Sequence, residues 1–202
     1  MPEIQAIFWD LGGVIVRTED RTRREHWEQR LGMEPRQLDR FIFAGEMGHK
    51  AALGEVNAEQ VWEWVRQELD LSREEGQQLT RDFWQGDDLD QKLVSYIREL
   101  RPQFQTGLIS NAWLELRELL VHHFHVDDAF DDLVISAEVG LAKPDPAIYE
   151  LALERLKVPA DCAVFVDDFE SNIAAARELG MHAILFRSRV QAIAEVDQLV
   201  TG

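Results

Sequence analysis

Short runs of apolar residues alternate with amphipathic stretches along much of the chain. Each run ends in a polar or glycine-containing turn, and continuous runs of this kind are typical of parallel strands that are buried on both faces. Strands that alternate with helices indicate an α/β fold with a doubly wound parallel sheet of the Rossmann-like kind. The five predicted strands are Ala6–Asp10, Thr106–Ser110, Asp132–Ser136, Cys162–Asp167 and Ala183–Phe186.

Helical patterns separate the later strands. They cover Leu114–Phe124, Pro146–Lys157 and Ser171–Leu179. The first has its apolar positions on one face, the second begins with proline, and the third is followed by Gly180, a residue typical of helix C-termini.

The segment from residue 17 to residue 90 differs from the rest because it contains no convincing strand. Its Asn57 and Gln60 have the spacing of a capping box at the start of a helix. We therefore expect residues 1–16 and 91–202 to form the α/β core and residues 17–90 to form a small inserted helical cap. The helical patterns in this segment are Thr22–Leu31, Pro35–Phe43, Ala58–Leu69 and Ser72–Trp84.

The net charge limits the classes of partner, and the cysteine content indicates the compartment. The formal net charge of −17 repels nucleic-acid phosphates and anionic bilayers, so neither is expected as the main partner. The single Cys162 fits a reducing compartment, and the first residues do not resemble a signal peptide. We expect a cytoplasmic protein that binds a small molecule; nothing in the sequence indicates an oligomeric state.

Polar side chains with catalytic potential follow the predicted strands. The carboxyl ends of parallel strands meet at one edge of the sheet, so these side chains are expected to lie close together. The Gly12–Gly13 pair after the first strand allows a sharp turn and a close approach of a ligand. The candidate side chains are Asp10, Ser110, Asn111, Lys143, Asp167 and Asp168.

This set of groups suits the transfer of a phosphoryl group. A carboxylate attacks phosphorus, a hydroxyl and a cation hold the phosphoryl oxygens, and two further carboxylates bind a hard divalent ion. Mg²⁺ is the expected cofactor because it prefers a few carboxylates together with phosphate and water. The adjacent Asp167 and Asp168 repel each other at a strand end unless a cation is near.

The order Asp, Ser, Lys and Asp-Asp resembles that of the haloacid dehalogenase superfamily, and the resemblance covers the whole chain. It is strongest to the phosphatases with a helical cap between the first motif and the second strand. The resemblance implies that Asp10 is the nucleophile and forms an aspartyl-phosphate. It also implies that Ser110 and Lys143 contact the phosphoryl group, with Asn111 beside them.

The resemblance also implies a ligand set for magnesium. The carboxylates of Asp10 and Asp168 and the backbone carbonyl of Gly12 bind the ion, and Asp167 lies in the metal site or next to it. The substrate implied is a small phosphorylated metabolite.

Gly12 departs from the usual first motif of the family's phosphatases, which place a second Asp at this position as general acid and base. The backbone contact to the metal is retained, but the side-chain proton donor is missing. Some members that resemble sugar-1-phosphate phosphatases also have glycine there, so a phosphatase remains the favoured interpretation.

Three alternatives stay open at this stage, of which a phosphomutase would normally need the acid and base that Gly12 lacks. A 2-haloacid dehalogenase also lacks the second Asp, and Ser110–Trp113 resembles its second motif, but that branch works without a metal. A non-catalytic binding or regulatory protein with this fold is the third alternative, and Gly12 is the residue that favours it.

Overall fold

The computed structural model describes residues 3–201, and its centre is a parallel sheet of five strands in the order β5-β4-β1-β6-β7. The first strand of the chain lies in the middle, where it pairs with β4 on one side and β6 on the other. This is the predicted α/β fold, and each predicted strand is present to within two residues at either end. The strands are β1 Ala6–Trp9, β4 Gln105–Ser110, β5 Asp132–Ile135, β6 Ala163–Asp167 and β7 His182–Leu185.

Helices cover both faces of the sheet because successive strand residues point to opposite sides. Ile7 and Trp9 of β1 pack with α6, α7 and α11, whereas Phe8 packs with α9 and α10 on the other face. The helices of this α/β part are α6 Gln91–Leu100, α7 Leu116–Glu118, α8 Ser136–Val139, α9 Pro146–Leu156, α10 Glu170–Glu178 and α11 Arg189–Thr201. The short α7 continues as a π-helical segment, Leu119–Phe124.

A second group of helices lies between β1 and β4 along the chain and has its own apolar core. We call the segment Thr22–Trp84 the helical insertion. Its core includes Leu38, Ile42, Val65 and Leu79, all fully buried. The helices are α1 Thr22–Arg30, α2 Gln37–Phe43, α3 Glu46–Ala52, α4 Ala58–Glu68 and α5 Arg73–Trp84.

The helical insertion is connected to the α/β part by a ribbon of two short antiparallel strands, β2 Val16–Thr18 and β3 Asp87–Leu89. The expectation that residues 17–90 contain no strand is therefore wrong. Each strand has only three residues, and β3 is mostly acidic, so neither gives the apolar alternation by which a strand is recognised.

Asp90 fixes this ribbon to the α/β part. Its side chain is 2% exposed and accepts hydrogen bonds from Arg17 at 2.9 Å and from Arg189 of α11 at 2.7 Å. It also accepts a hydrogen bond from the backbone N–H of Leu93, as the N-cap of α6. One carboxylate thus joins the ribbon, α6 and α11.

No helix within residues 3–201 combines the length and the apolar character that crossing a bilayer requires. The division into core and cap stays a prediction, and its residues 1, 2 and 202 lie outside the described part of the chain.

Candidate active site

Asp10 follows the central strand β1 and points into a buried cluster of charged groups. Its backbone N–H donates to the carbonyl of Val166 at 2.9 Å, which extends the pairing of β1 with β6. Its carboxylate Oδ1 lies 2.7 Å from Nζ of Lys143, and the residue is 6% exposed. The end of the central strand therefore presents a carboxylate whose ionised form is paired with a buried cation.

Lys143 lies in the loop after α8, and two other side chains hold it in place. Its Nζ also contacts Oδ2 of Asp167 at 2.6 Å. The amide of Asn111 accepts from the backbone N–H of Lys143 and donates to its carbonyl, each at 2.8 Å. Asn111 therefore fixes the backbone of Lys143, while Asp167 and Asp10 fix its ammonium group.

Asp167 is fully buried and both of its carboxylate oxygens have donors. The backbone N–H of Phe169 donates to Oδ1 at 2.7 Å, and the side-chain amide of Asn172 contacts both oxygens, at 3.1 and 3.0 Å. Together with Lys143, these donors satisfy the carboxylate without a metal ion. In this geometry Asp167 orients Lys143 and lies beside the carboxylates of Asp10 and Asp168.

Asp168 is in the opposite situation. Its Oδ1 is buried and has no hydrogen-bond partner among the described residues. Its Oδ2 lies so close to Gly13 that a Cβ at that position would come within 2.2 Å of it. Gly13 also has a φ of +79°, which favours glycine. At Gly12, by contrast, an added Cβ meets no atom within 4 Å among residues 3–201, apart from its own chain neighbours.

The three carboxylates fit a hard divalent cation. Asp10, Asp167 and Asp168 each offer one oxygen, and these atoms lie within 4.8 Å of one another. An oxygen-only donor set is what Mg²⁺ prefers. The unpartnered Oδ1 of Asp168 indicates that this group, rather than Asp167, has a free position for an ion.

The electrostatics indicate the same need for a positive charge. Burial raises the pKa of Asp10 to about 7; Lys143 opposes this shift, and the charges of Asp167 and Asp168 add to it. Burial and the neighbouring Asp167 raise the pKa of Asp168 to about 6. A cation beside these carboxylates favours their ionised forms and lowers both pKa values.

The structure brings most of the residues singled out in the sequence together at one sheet edge. Asp10, Lys143 and Asp167 are in direct contact, and Ser110 ends β4, beside β1, with 2% of its surface exposed. The sequence interpretation placed Asn111 beside the phosphoryl group, and the structure adds that its amide holds Lys143.

Asn172 was not singled out from the sequence, and Gly13 was singled out only as part of the Gly12–Gly13 pair, for the close approach of a ligand. Asn172 holds Asp167, and Gly13 makes room for Asp168. Asn172 lies five residues after Asp167, within the first turn of α10, where a side chain can reach back to a strand end. The second glycine of the Gly12–Gly13 pair was the available signal for the close approach.

Comparison with known proteins adds three relationships. The family model described as haloacid dehalogenase-like hydrolase matches residues 4–180. A D-ribitol-5-phosphate phosphatase from Bacteroides thetaiotaomicron is 30% identical over 188 residues, covering 88% of this chain and 89% of that protein. The bifunctional epoxide hydrolase 2 of Rattus norvegicus is 39% identical over 103 residues, which are 49% of this chain and 18% of that protein. The chain thus spans only a small part of the length of that relative.

A solved structure shows the same fold. It is a haloacid dehalogenase family enzyme from Bacteroides thetaiotaomicron, in complex with magnesium and inorganic phosphate. The two chains superpose with a TM-score of 0.74 at 22% identity, over 91% of this chain and 94% of the other.

Proposed function

Because the chain belongs to the haloacid dehalogenase-like hydrolases, we propose that it is a magnesium-dependent phosphohydrolase that acts on a small phosphorylated metabolite through an aspartyl-phosphate. Membership of the family makes the chain a hydrolase, and its relatives include phosphatases. The metal, the substrate class and the intermediate are the proposed part.

One observation carries the proposal. A buried carboxylate at the end of the central strand contacts a buried lysine, and a second carboxylate nearby has an unpartnered buried oxygen. This arrangement offers a nucleophile, a cation for phosphoryl oxygens and a site for a divalent ion within one cluster. Asp10, the Gly12 carbonyl and Asp168 are the proposed metal ligands, and Asp167 supports them through Lys143.

In the first step, a carboxylate oxygen of Asp10 forms a bond to phosphorus while the bond from phosphorus to the substrate's alcohol oxygen breaks. Lys143 and Ser110 hold the phosphoryl oxygens, and Asn111 keeps Lys143 in position. A bound magnesium ion supplies further neutralisation of the phosphoryl charge. The departing alkoxide takes a proton from water or from a residue other than position 12.

In the second step, water attacks the phosphorus of the aspartyl-phosphate, the bond to Asp10 breaks, and inorganic phosphate leaves. The free carboxylate of Asp10 then pairs again with Lys143, as in the structure. Gly12 has no side chain to activate this water. We therefore infer that the second step is slow unless a carboxylate from the helical insertion takes this role.

The helical insertion is the proposed cap over this site. It contacts the segments that follow β4 and β5, the same sheet edge at which Asp10 lies. The backbone N–H of Ala58 donates to Glu115 at 3.0 Å, and Gly54 lies against the carbonyl of Ala137. In this proposal a group bound at Asp10 lies between the sheet edge and the helical insertion. The D-ribitol-5-phosphate phosphatase relative supports a small phosphorylated substrate.

Release of inorganic phosphate from an aryl phosphate tests the proposal. We expect turnover with Mg²⁺, none in excess chelator, and none in Asp10→Asn, because the isosteric amide is not a nucleophile. Circular dichroism of Asp10→Asn checks that its fold is intact. Activity in Asp10→Asn within tenfold of the wild type contradicts the role of Asp10.

Chloride release from 2-chloropropionate, measured on the same preparation, separates the dehalogenase alternative. Metal-independent chloride release without phosphate release identifies a dehalogenase. The absence of both products over a panel of phosphorylated metabolites favours a non-catalytic protein.

A further inference from the structure

Five aromatic side chains form one cluster where the helical insertion meets the loop after β4. The ring centroid of Trp113, in that loop, lies 5.8 Å from Phe43, 6.3 Å from Trp62 and 6.0 Å from Trp84. Phe83 lies behind these rings, within 5.6 Å of Phe43 and 5.1 Å of Trp84. We call Phe43, Trp62, Phe83, Trp84 and Trp113 the aromatic wall.

The aromatic wall has one buried side and one open side. Phe83 is fully buried, and the guanidinium of the buried Arg24 lies 3.9 Å from its ring centroid. Phe43 and Trp84 in front of it remain 43% and 41% exposed. A cluster that only completed the apolar core of the helical insertion would bury these large rings, since burial of aromatic surface is the main gain from packing them.

The aromatic wall is joined to the candidate active site by a short and fixed segment. Trp113 follows Ser110 by three residues, a distance of at most about 10 Å along extended chain. The two residues between them are both held. Asn111 is bonded to the backbone of Lys143, and the N–H of Ala112 donates to Ser136 at 3.0 Å. The position of Trp113 relative to the phosphoryl-binding groups is thus set by the core.

The expected direction in which the leaving group departs brings the alcohol part of the substrate toward the aromatic wall. In an in-line displacement the leaving group departs on the side of phosphorus opposite the nucleophile. The segments that follow β4 and β5 at this sheet edge contact the helical insertion, and in the proposed function this is the side that receives the leaving group. The rings of the aromatic wall carry no hydrogen-bonding group other than the indole N–H of the three tryptophans, so they do not match the many hydroxyls of a polyol.

We propose that the aromatic wall binds the alcohol part of the substrate and selects phosphomonoesters that carry an aromatic or extended apolar group. This inference rests on the proposed phosphohydrolase function and names its substrate class. Trp84 and Trp113 provide the surface for the leaving group, and Phe83 and Arg24 support them from behind.

The test compares two phosphates whose alcohols have similar acidity, so that any effect of the missing acid at Gly12 cancels. The substrates are 2-phenylethyl phosphate and propyl phosphate. We expect kcat/KM to be at least about tenfold higher for 2-phenylethyl phosphate than for propyl phosphate. This factor corresponds to the free energy gained from one pair of packed aromatic rings. Trp84→Ala removes an already exposed ring and lowers this ratio to below about threefold.

Leu119→Ala is the matched control, since Leu119 is 45% exposed and lies outside the aromatic wall; it leaves the ratio unchanged. Binding of 3-phenylpropylphosphonate and butylphosphonate to the wild type, measured by calorimetry, gives the same comparison without turnover. Equal affinities for the two phosphonates, or a wild-type kcat/KM ratio near one, overturn the inference.

The same measurements separate this inference from the proposed function. Phosphate release together with either of those results leaves the phosphohydrolase function standing. Discrimination between the phosphonates without phosphate release from any ester leaves the aromatic site standing and overturns the phosphohydrolase.

Discussion

Two adjacent glycines carry opposite constraints at the residue scale. Gly13 lies against the Asp168 carboxylate with a positive φ, whereas the space around Gly12 is open. A methyl group at Gly13 must displace the carboxylate that we propose as a metal ligand, and it also disfavours the local backbone. Gly12 meets neither restriction, so its glycine is not required by packing.

Gly13→Ala is therefore expected to raise the Mg²⁺ concentration needed for half-maximal activity by at least about tenfold, the usual cost of displacing a ligand or its support. Gly12→Ala is the control at the neighbouring position and is expected to change this concentration by less than about threefold. The measurement is phosphate release against Mg²⁺ concentration for the three proteins. An equal requirement in Gly13→Ala and the wild type contradicts the placement of Asp168 as a ligand.

Gly12 itself leads to a prediction about the leaving group. A positioned general acid contributes about 10²–10⁴-fold to rate, and without one the substrate's oxygen leaves unprotonated. We expect the initial rate to fall steeply as the leaving-group pKa rises across a series of substituted aryl phosphates. Gly12→Asp is expected to flatten this dependence, because the open space around Gly12 accepts a side chain.

Pre-steady-state and steady-state release of the phenol from the aryl phosphates, measured with both proteins, provides the check. The wild type is expected to show a burst of released alcohol before a slower steady state, since the same missing carboxylate leaves the aspartyl-phosphate without a base. A wild-type slope as shallow as that of Gly12→Asp shows that another group supplies the proton. Glu19, Asp20 and Glu46 are the first residues to test in that case.

At the scale of elements, the ribbon of β2 and β3 depends on one buried carboxylate. Burial alone raises the pKa of Asp90, but hydrogen bonds from Arg17, the Leu93 N–H and Arg189 outweigh it, and the net shift is downward. A carboxyl group with a lowered folded pKa stabilises the protein above its unfolded pKa, and this contribution is lost as the pH falls through the folded pKa.

Asp90→Asn keeps the shape and removes the charge. We expect it to lower the free energy of unfolding by about 2–3 kcal/mol at pH 7, below the usual range for a broken buried pair because both arginines reach water. Asp88→Asn, at an exposed position of the same ribbon, is the control with little effect. In urea unfolding, the loss of free energy of unfolding in Asp90→Asn should have its full size above about pH 5 and be smaller below about pH 4. A deficit that does not change with pH contradicts the ionic role of Asp90.

The elements also show which parts of the fold are readable from the sequence. The five sheet strands are readable because burial on both faces demands continuous apolar runs. The two strands of the ribbon cannot be predicted in this way. They are short, and hydrogen bonds and ion pairs between their polar side chains and residues distant in the sequence hold them in place. Helix α11 buries only Ala192 and Val196 and gives a weak pattern. Helix α6 was missed although Leu93, Val94, Ile97 and Leu100 mark one apolar face.

The same distinction holds for the candidate site. Residues at strand ends follow from topology, because a parallel sheet collects its carboxyl ends at one edge. The contacts that those residues make with one another cannot be predicted from the topology. The pairing of Asn111 with Lys143 and of Lys143 with Asp167 joins residues that are 32 and 24 positions apart, and no spacing rule predicts such contacts.

At the scale of the whole molecule, the formal net charge of −17 opposes the substrate class that we propose. A phosphate monoester near neutral pH is an anion, so the protein's overall field repels it, whereas Lys143 and the magnesium ion that we propose attract it only at short range. Added salt screens the long-range repulsion more than the contacts within a buried site, since the Debye length is about 8–10 Å at 0.1–0.15 M.

We therefore expect kcat/KM for a phosphomonoester, at saturating Mg²⁺, to rise by about twofold when ionic strength increases from about 0.02 M to 0.15 M. The value of kcat is expected to stay constant, because the bound substrate is already inside the site. A fall in kcat/KM at constant kcat would show that positive charge around the site dominates the approach of the substrate. The overall charge would then have no part in selecting the substrate, and the helical insertion with its arginines would be the first place to look for the attracting groups.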